Sequence, residues 1–199
     1  EPGRFAGWPA NYGIWAWPGA AGSDEIVVGF VAGKLKVPAA GHACDRTQPF
    51  VTMQARSLDG GQTWHVAAMP VRTPGGRALS ADEHVAPELT AATALAAGLS
   101  AQPAACPGAD FTHPDFALLC ARTGLEAAAV SWFYTSNDRC HTWDGPYALP
   151  DFGLPGVAAR TDCIVLGPRA ALLLLTAAKT NGREGRPFCA ATTDGGQTW

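Results

Sequence analysis

One eight-residue pattern recurs along the chain and limits its fold more than any other feature. Ser57-Leu-Asp59-Gly-Gly61-Gln-Thr63-Trp64, Ser136-Asn-Asp138-Arg-Cys140-His-Thr142-Trp143 and Thr192-Thr-Asp194-Gly-Gly196-Gln-Thr198-Trp199 share Ser or Thr, Asp, Thr and Trp at the same spacing. With average residue usage, one match in a chain of this length is expected about once in a thousand sequences, so three of them mark one structural unit used repeatedly. The residue types are those of a tight turn between two strands. The Asp carboxylate and the Ser or Thr hydroxyl bond to the turn backbone, Gly takes a positive φ, and the Trp packs into the core. Ser57, Asp59, Gly61, Trp64, Ser136, Asp138, Trp143, Asp194, Gly196 and Trp199 are therefore expected to build the fold rather than to do chemistry. Cys140 stands where the other copies have Gly61 and Gly196, so a retained positive φ there costs about 1 kcal/mol.

Composition agrees with a strand-rich chain. The 199 residues include 23 Gly, 16 Pro and 7 Trp, a combination that suits short strands joined by tight turns and predicts an all-β fold. With 14 Lys+Arg against 17 Asp+Glu and no basic run, nucleic acid and anionic membranes are not expected partners. The longest apolar stretch, residues 170–178, is about half of what a membrane crossing needs. No charged-then-apolar leader opens the sequence. The six cysteines form no C-x-x-C pair, so neither a zinc site nor any other metal or cofactor is expected. Cys120, Cys163 and Cys189 lie in apolar runs and read as small buried hydrophobes, whereas Cys44 and Cys106 lie in loops and could pair in an oxidising compartment.

The three segments resemble Asp boxes, the bacterial neuraminidase repeats of the sialidase superfamily. That resemblance implies a six-bladed β-propeller with each box between the third and fourth strands of a blade, and a secreted or periplasmic location. About three four-stranded blades fit within the 199 residues, so the chain reads as the first half of such a domain, residues 1–199. Blade 1 covers about 11–68, an Ala-rich insertion 69–110, blade 2 about 111–149 and an incomplete blade 3 about 158–199. Expected strands are 13–17, 25–31, 50–56 and 63–68, then 116–122, 128–136 and 142–148, then 162–166, 170–178 and 187–192. The first strand of blade 2 is not evident, and Pro87 could open a short helix ending before Gly98. Three blades do not close a ring, and two broad apolar blade faces would be bare.

In this superfamily the active face carries the connections between blades and the loops between second and third strands. Residues 32–49 form such a loop, with His42, Asp45 and Arg46, and the resemblance makes Asp45 the candidate acid/base carboxyl, against a solvated loop carboxylate or a partner of Arg46. The corresponding loop of blade 3 holds Arg183, Glu184 and Arg186, as a sugar-binding set or a hydrophilic hairpin. Blade connections add His113, Asp115, Arg160 and Asp162, with Arg4 upstream; Arg160 and Asp162 could equally form an internal ion pair. Thr112-His-Pro-Asp115 resembles the Ser-Asp-Pro that opens an inner strand in bacterial sialidases. The family's Arg-Ile-Pro signature aligns with Trp8-Pro-Ala-Asn11-Tyr-Gly-Ile-Trp15, which has no Arg. The expected activity is exo-glycosidic, sialidase-like hydrolysis of a terminal sugar by carboxyl acid/base catalysis, with carbohydrate as partner. The alternative is a non-catalytic Asp-box propeller that binds glycan or protein.

Overall fold

A computed structural model describes residues 3–19, 22–36, 43–45, 47–48, 50–71 and 103–199. In chain order its elements are β1 (Arg4–Gly7), α1 (Pro9–Tyr12), β2 (Ile14–Pro18), β3 (Asp24–Lys34), β4 (Val51–Ser57), β5 (His65–Ala68), β6 (Ala117–Arg122), β7 (Ser131–Ser136), β8 (Asp144–Ala148), β9 (Val157–Gly167), β10 (Ala170–Ala178) and β11 (Glu184–Thr192). The fold is all-β, and every strand pairing within the three sheets is antiparallel. His42, Arg46 and the proposed helix at 87–98 lie outside the described residues.

Sheet 1 follows the order β1-β3-β4-β5, with β2 sharing β3's edge beside β1. The eleven residues of β3 make this possible: β2 covers Asp24 to Val28, and β1 covers Val31 to Lys34. The short α1 turn lies between them. Gly29 is required opposite it, because a Cβ there would fall 2.5 Å from the Tyr12 carbonyl oxygen. Strands β6, β7 and β8 form sheet 2, and β9, β10 and β11 form sheet 3. No described residue supplies a fourth strand along β6. Its edge is capped instead by the β9 bulge, where the Thr161 hydroxyl accepts the Cys120 N–H at 3.0 Å and contacts the Asn11 carbonyl oxygen at 3.1 Å.

Two apolar clusters hold the sheets together. One joins sheets 1 and 2 through Tyr12, Val27, Val31, Leu119, Trp132 and Tyr134; the other joins sheets 2 and 3 through Leu118, Cys120, Phe133, Ala159, Leu173 and Leu175. Alternation along β10 explains the second, since Ala171, Leu173, Leu175 and Ala177 face inward while Leu174 is exposed. Polar bonds reinforce both interfaces. Gln54 Nε2 donates to the Cys140 carbonyl at 3.1 Å, and Ser131 Oγ donates to Val157 O at 2.6 Å while accepting the Ala159 N–H at 2.9 Å.

No two of the six cysteines are joined by a disulfide. Cys44 and Cys106 belong to different core clusters and are both buried, so neither lies in an open loop ready to pair. Cys189, expected to be buried, is exposed because it shares the outward face of sheet 3 with Leu174, its cross-strand partner.

Candidate functional site

The three repeats form near-identical turns, each between a longer strand and the strand or segment that follows. In the first, Ser57 Oγ donates to Asp59 Oδ1 at 2.7 Å, Gly61 N donates to Ser57 Oγ at 2.8 Å, and Thr63 Oγ1 donates to Asp59 Oδ2 at 2.6 Å. Ser136, Asp138, Cys140 and Thr142 repeat the set at 2.8, 2.9 and 2.5 Å. Thr192, Asp194, Gly196 and Thr198 repeat it again at 2.8, 2.9 and 2.6 Å. Bonds from Thr63 and Thr198 hold the Asp59 and Asp194 carboxyls down at about 2. At Asp138 burial pushes upward, and the Thr142 and Ser136 bonds outweigh it, leaving that carboxyl lowered as well. Each carboxylate is fully occupied by its own turn.

The box tryptophans follow a rule of their own. Trp143 packs on Trp15 of sheet 1 with ring centroids 5.5 Å apart, and Trp199 packs on Phe133 of sheet 2 at 5.7 Å. Each box Trp thus meets the sheet that precedes its own. Trp64 was expected in the core but is 44% exposed, because no described sheet precedes the first.

The box turns share one side of the molecule. Arg56 and Gln54, near the box end of β4, donate to the Arg139 and Cys140 carbonyls of the second box. At the opposite ends, the β6–β7 and β10–β11 loops meet through Ala127 N and Gly182 O at 2.8 Å. Asp45 lies on that second side. Its N–H donates to Lys34 O at the far end of β3 from the Asp24 carbonyl that accepts the first box's Gly60 N–H. The seven residues of β4 alone put roughly 20 Å between the two ends.

The Asp45 carboxylate accepts Thr47 Oγ1 at 2.7 Å and Thr47 N at 3.0 Å. Those two bonds hold its carboxyl below the usual range, with help from Lys36. Arg4 flanks the end of β3 from the opposite edge, paired with Lys34. Arg183 is exposed in the β10–β11 turn, where its N–H donates to Asn181 Oδ1, and Arg186 is exposed one pairing further along. Glu184 opens β11 opposite Ala178. Arg160 Nη1 reaches Asn11 Oδ1 at 3.4 Å, linking the β9 bulge to α1 rather than to Asp162.

His113 and Asp115 are not on this side. The chain enters β6 at Ala117, which pairs with Ser136 at the start of the second box, so both residues stand at the box end. The expectation that they share the Asp45 rim is corrected by the direction of β6. Asp115 there accepts Arg139 Nε at 2.6 Å, Arg139 bonds Glu25 at 3.0 Å, and Glu25 in turn pairs with Arg56. This chain of four charges ties sheet 1 to sheet 2. His113 and Asp162 instead line one cleft, of about 370 Å³, between β2, the segment ahead of β6, and β9.

Sequence reasoning missed α1 and its strained entry. Trp8 takes a left-handed φ of 61° immediately before Pro9, and its ring lies 5.0 Å from Phe5. The Trp8-Pro9 pair was the available signal, since Pro suits the first turn of a helix. Among the described residues no three His, Cys, Asp or Glu side chains converge as a metal ion would need, and no helix is long and apolar enough to cross a membrane. No family model matches this chain, and no match was found among curated proteins or among solved structures.

Proposed function

We propose that the three sheets are consecutive blades of a sialidase-type propeller, six-bladed when closed, which acts on a terminal sugar at the rim opposite the Asp boxes. The observation that carries this reading is the repeated placement of the box Trp on the preceding sheet. Trp143 and Trp199 obey it, and the exposed Trp64 presents the same surface to a neighbour of the same kind. The outward apolar residues Ile164, Leu166 and Leu174 of sheet 3 support stacking on the other flank.

On this reading Asp45 is the carboxyl group of the acid/base chemistry, with the exposed Arg183 and Arg186 on the same side to bind an acidic sugar. The Thr47 bonds favour the charged form of the Asp45 carboxyl in the free protein. A carboxylate-bearing substrate beside it would raise its pKa by like-charge repulsion and let it hold a proton. The test is hydrolysis of sialosides and other terminal glycosides by the full-length protein. Asp45→Ala should reduce turnover by about 10²-fold, with least loss on leaving groups that need no protonation. Equal loss on activated and unactivated substrates would remove Asp45 from the acid role.

A second reading, a non-catalytic propeller that binds glycan or protein on that rim, is favoured by the same Thr47 bonds and by the absence of Arg from residues 8–15. Retained glycan binding without hydrolysis of any glycoside would select it.

A further inference from the structure

The geometry points to a second small-molecule site, a saccharide cleft at the box ends of β6 and β9, remote from Asp45. Its position follows from strand pairing: Ala117 of β6 lies opposite Ser136 of the second box, and Val165 of β9 lies opposite Ala171, which pairs with Thr192 of the third. The volume of about 370 Å³ falls within the range of roughly 300–1,000 Å³ of small-ligand sites. Trp15 and Phe116 supply aromatic surface, with Phe116 held edge to face at 5.5 Å by the buried Phe111 and Trp15 fixed against Trp143. These rings are held by packing, which lowers the ordering cost of binding.

The polar groups select the ligand class. His113 Nδ1 accepts the Asp115 N–H at 3.2 Å, which leaves the neutral ring's proton on Nε2 as a donor. Asp162 is exposed, and no described residue hydrogen-bonds its carboxylate, so it is an acceptor. The Thr112 hydroxyl bonds Asp110 at 2.8 Å and retains acceptor capacity. One donor, one charged acceptor and a hydroxyl around aromatic faces match a pyranose ring, whose C–H face is apolar and whose hydroxyls both donate and accept. A quaternary ammonium would leave the His113 Nε2–H without a hydrogen-bond partner and the acceptor capacity of the Thr112 hydroxyl unused, and an anion would be repelled by Asp162. This assignment stands whether or not the Asp45 rim hydrolyses anything.

Saturation-transfer NMR on the whole chain with methyl β-galactopyranoside and N-acetylglucosamine tests it, with affinity expected in the millimolar range for ligands this small. At least one of these sugars should receive saturation from the wild type and from Asp45→Ala alike. Asp162→Ala should weaken binding by about tenfold or more, since a hydrogen bond to a charged group is lost. Val165→Trp, at an exposed position on the cleft wall, should lower the signal severalfold with an unchanged circular dichroism spectrum. No transfer to the wild type at concentrations on the order of 10 mM would overturn the proposal. So would a signal lost in Asp45→Ala, undiminished signals in both Asp162→Ala and Val165→Trp, or tighter binding of choline than of either sugar.

Discussion

Cys140 offers a sharp test of how the repeats are built, because two opposing effects meet in one side chain. Its φ of 65° lies in the left-handed region, where a non-glycine residue costs about 1–2 kcal/mol. Its thiol is nonetheless fully buried between sheets 1 and 2, and burial pushes the thiol pKa well up. Cys140→Ala removes the sulfur and keeps the strain, for a loss of about 1 kcal/mol. Cys140→Gly removes a further buried methyl, about 0.8 kcal/mol, and loosens the unfolded chain by about 0.7 kcal/mol. It also regains the 1–2 kcal/mol of strain. Both variants should therefore be about 1 kcal/mol less stable than wild type and within about 0.5 kcal/mol of each other. Urea unfolding followed by tryptophan fluorescence reads this as a lowered midpoint at unchanged slope. A glycine variant about 1.5 kcal/mol below the alanine variant would show that no strain is stored there. A glycine variant more stable than wild type would show that the buried thiol contributes nothing.

Other consequences are equally direct. Ser131→Ala leaves the Val157 carbonyl and the Ala159 N–H without their shared partner, and should cost about 2 kcal/mol in the same assay; a loss below about 0.5 kcal/mol would mean that sheets 2 and 3 do not depend on it. The Asp59 and Asp194 carboxyls lie at about 2 in the folded chain, below their ordinary 3.8. Their stabilisation is present above about pH 4 and is lost as pH falls towards about 2, so the urea midpoint should drop across that window and Asp59→Asn should flatten the drop. A midpoint constant from about pH 5 to 2 would contradict it. Of the six thiols, Cys189 is exposed and should label first, whereas Cys120 and Cys140 are fully buried and Cys163 is pushed up to about 11 by burial; rapid labelling of Cys140 in the native chain would refute its packing.

Most of the strands could be read from the residues because half-buried strands alternate and the boxes mark where each hairpin turns. Strand β10, from Ala170 to Ala178, lies where the apolar run puts it, and β4 is displaced by one residue from the expected 50–56. Segments of four residues, β1 and α1, are too short to carry a period. The site was less legible. Asp45 and Arg183 can be assigned to the ends opposite their boxes, since a loop between second and third strands must lie there. His113 and Asp115 could not, because their position depends on which end of β6 the chain enters. The Glu25, Arg56, Arg139 and Asp115 network joins residues up to 114 positions apart, and no local pattern announces it. The Thr47 bonds to Asp45 were visible in principle as Asp-x-Thr, a turn-forming pair that Asp110 and Thr112 repeat.

The most direct test of the proposed function is the pH dependence of glycoside hydrolysis by the full-length protein and its Asp45→Asn variant, on a sialoside and on neutral terminal glycosides. Measurable turnover is expected in the wild type. The limb assigned to the carboxyl group should vanish in the variant, along with at least about 10²-fold of the rate on unactivated substrates. Turnover unchanged in Asp45→Asn, or no turnover of any terminal glycoside by a protein that still binds glycan, would contradict it.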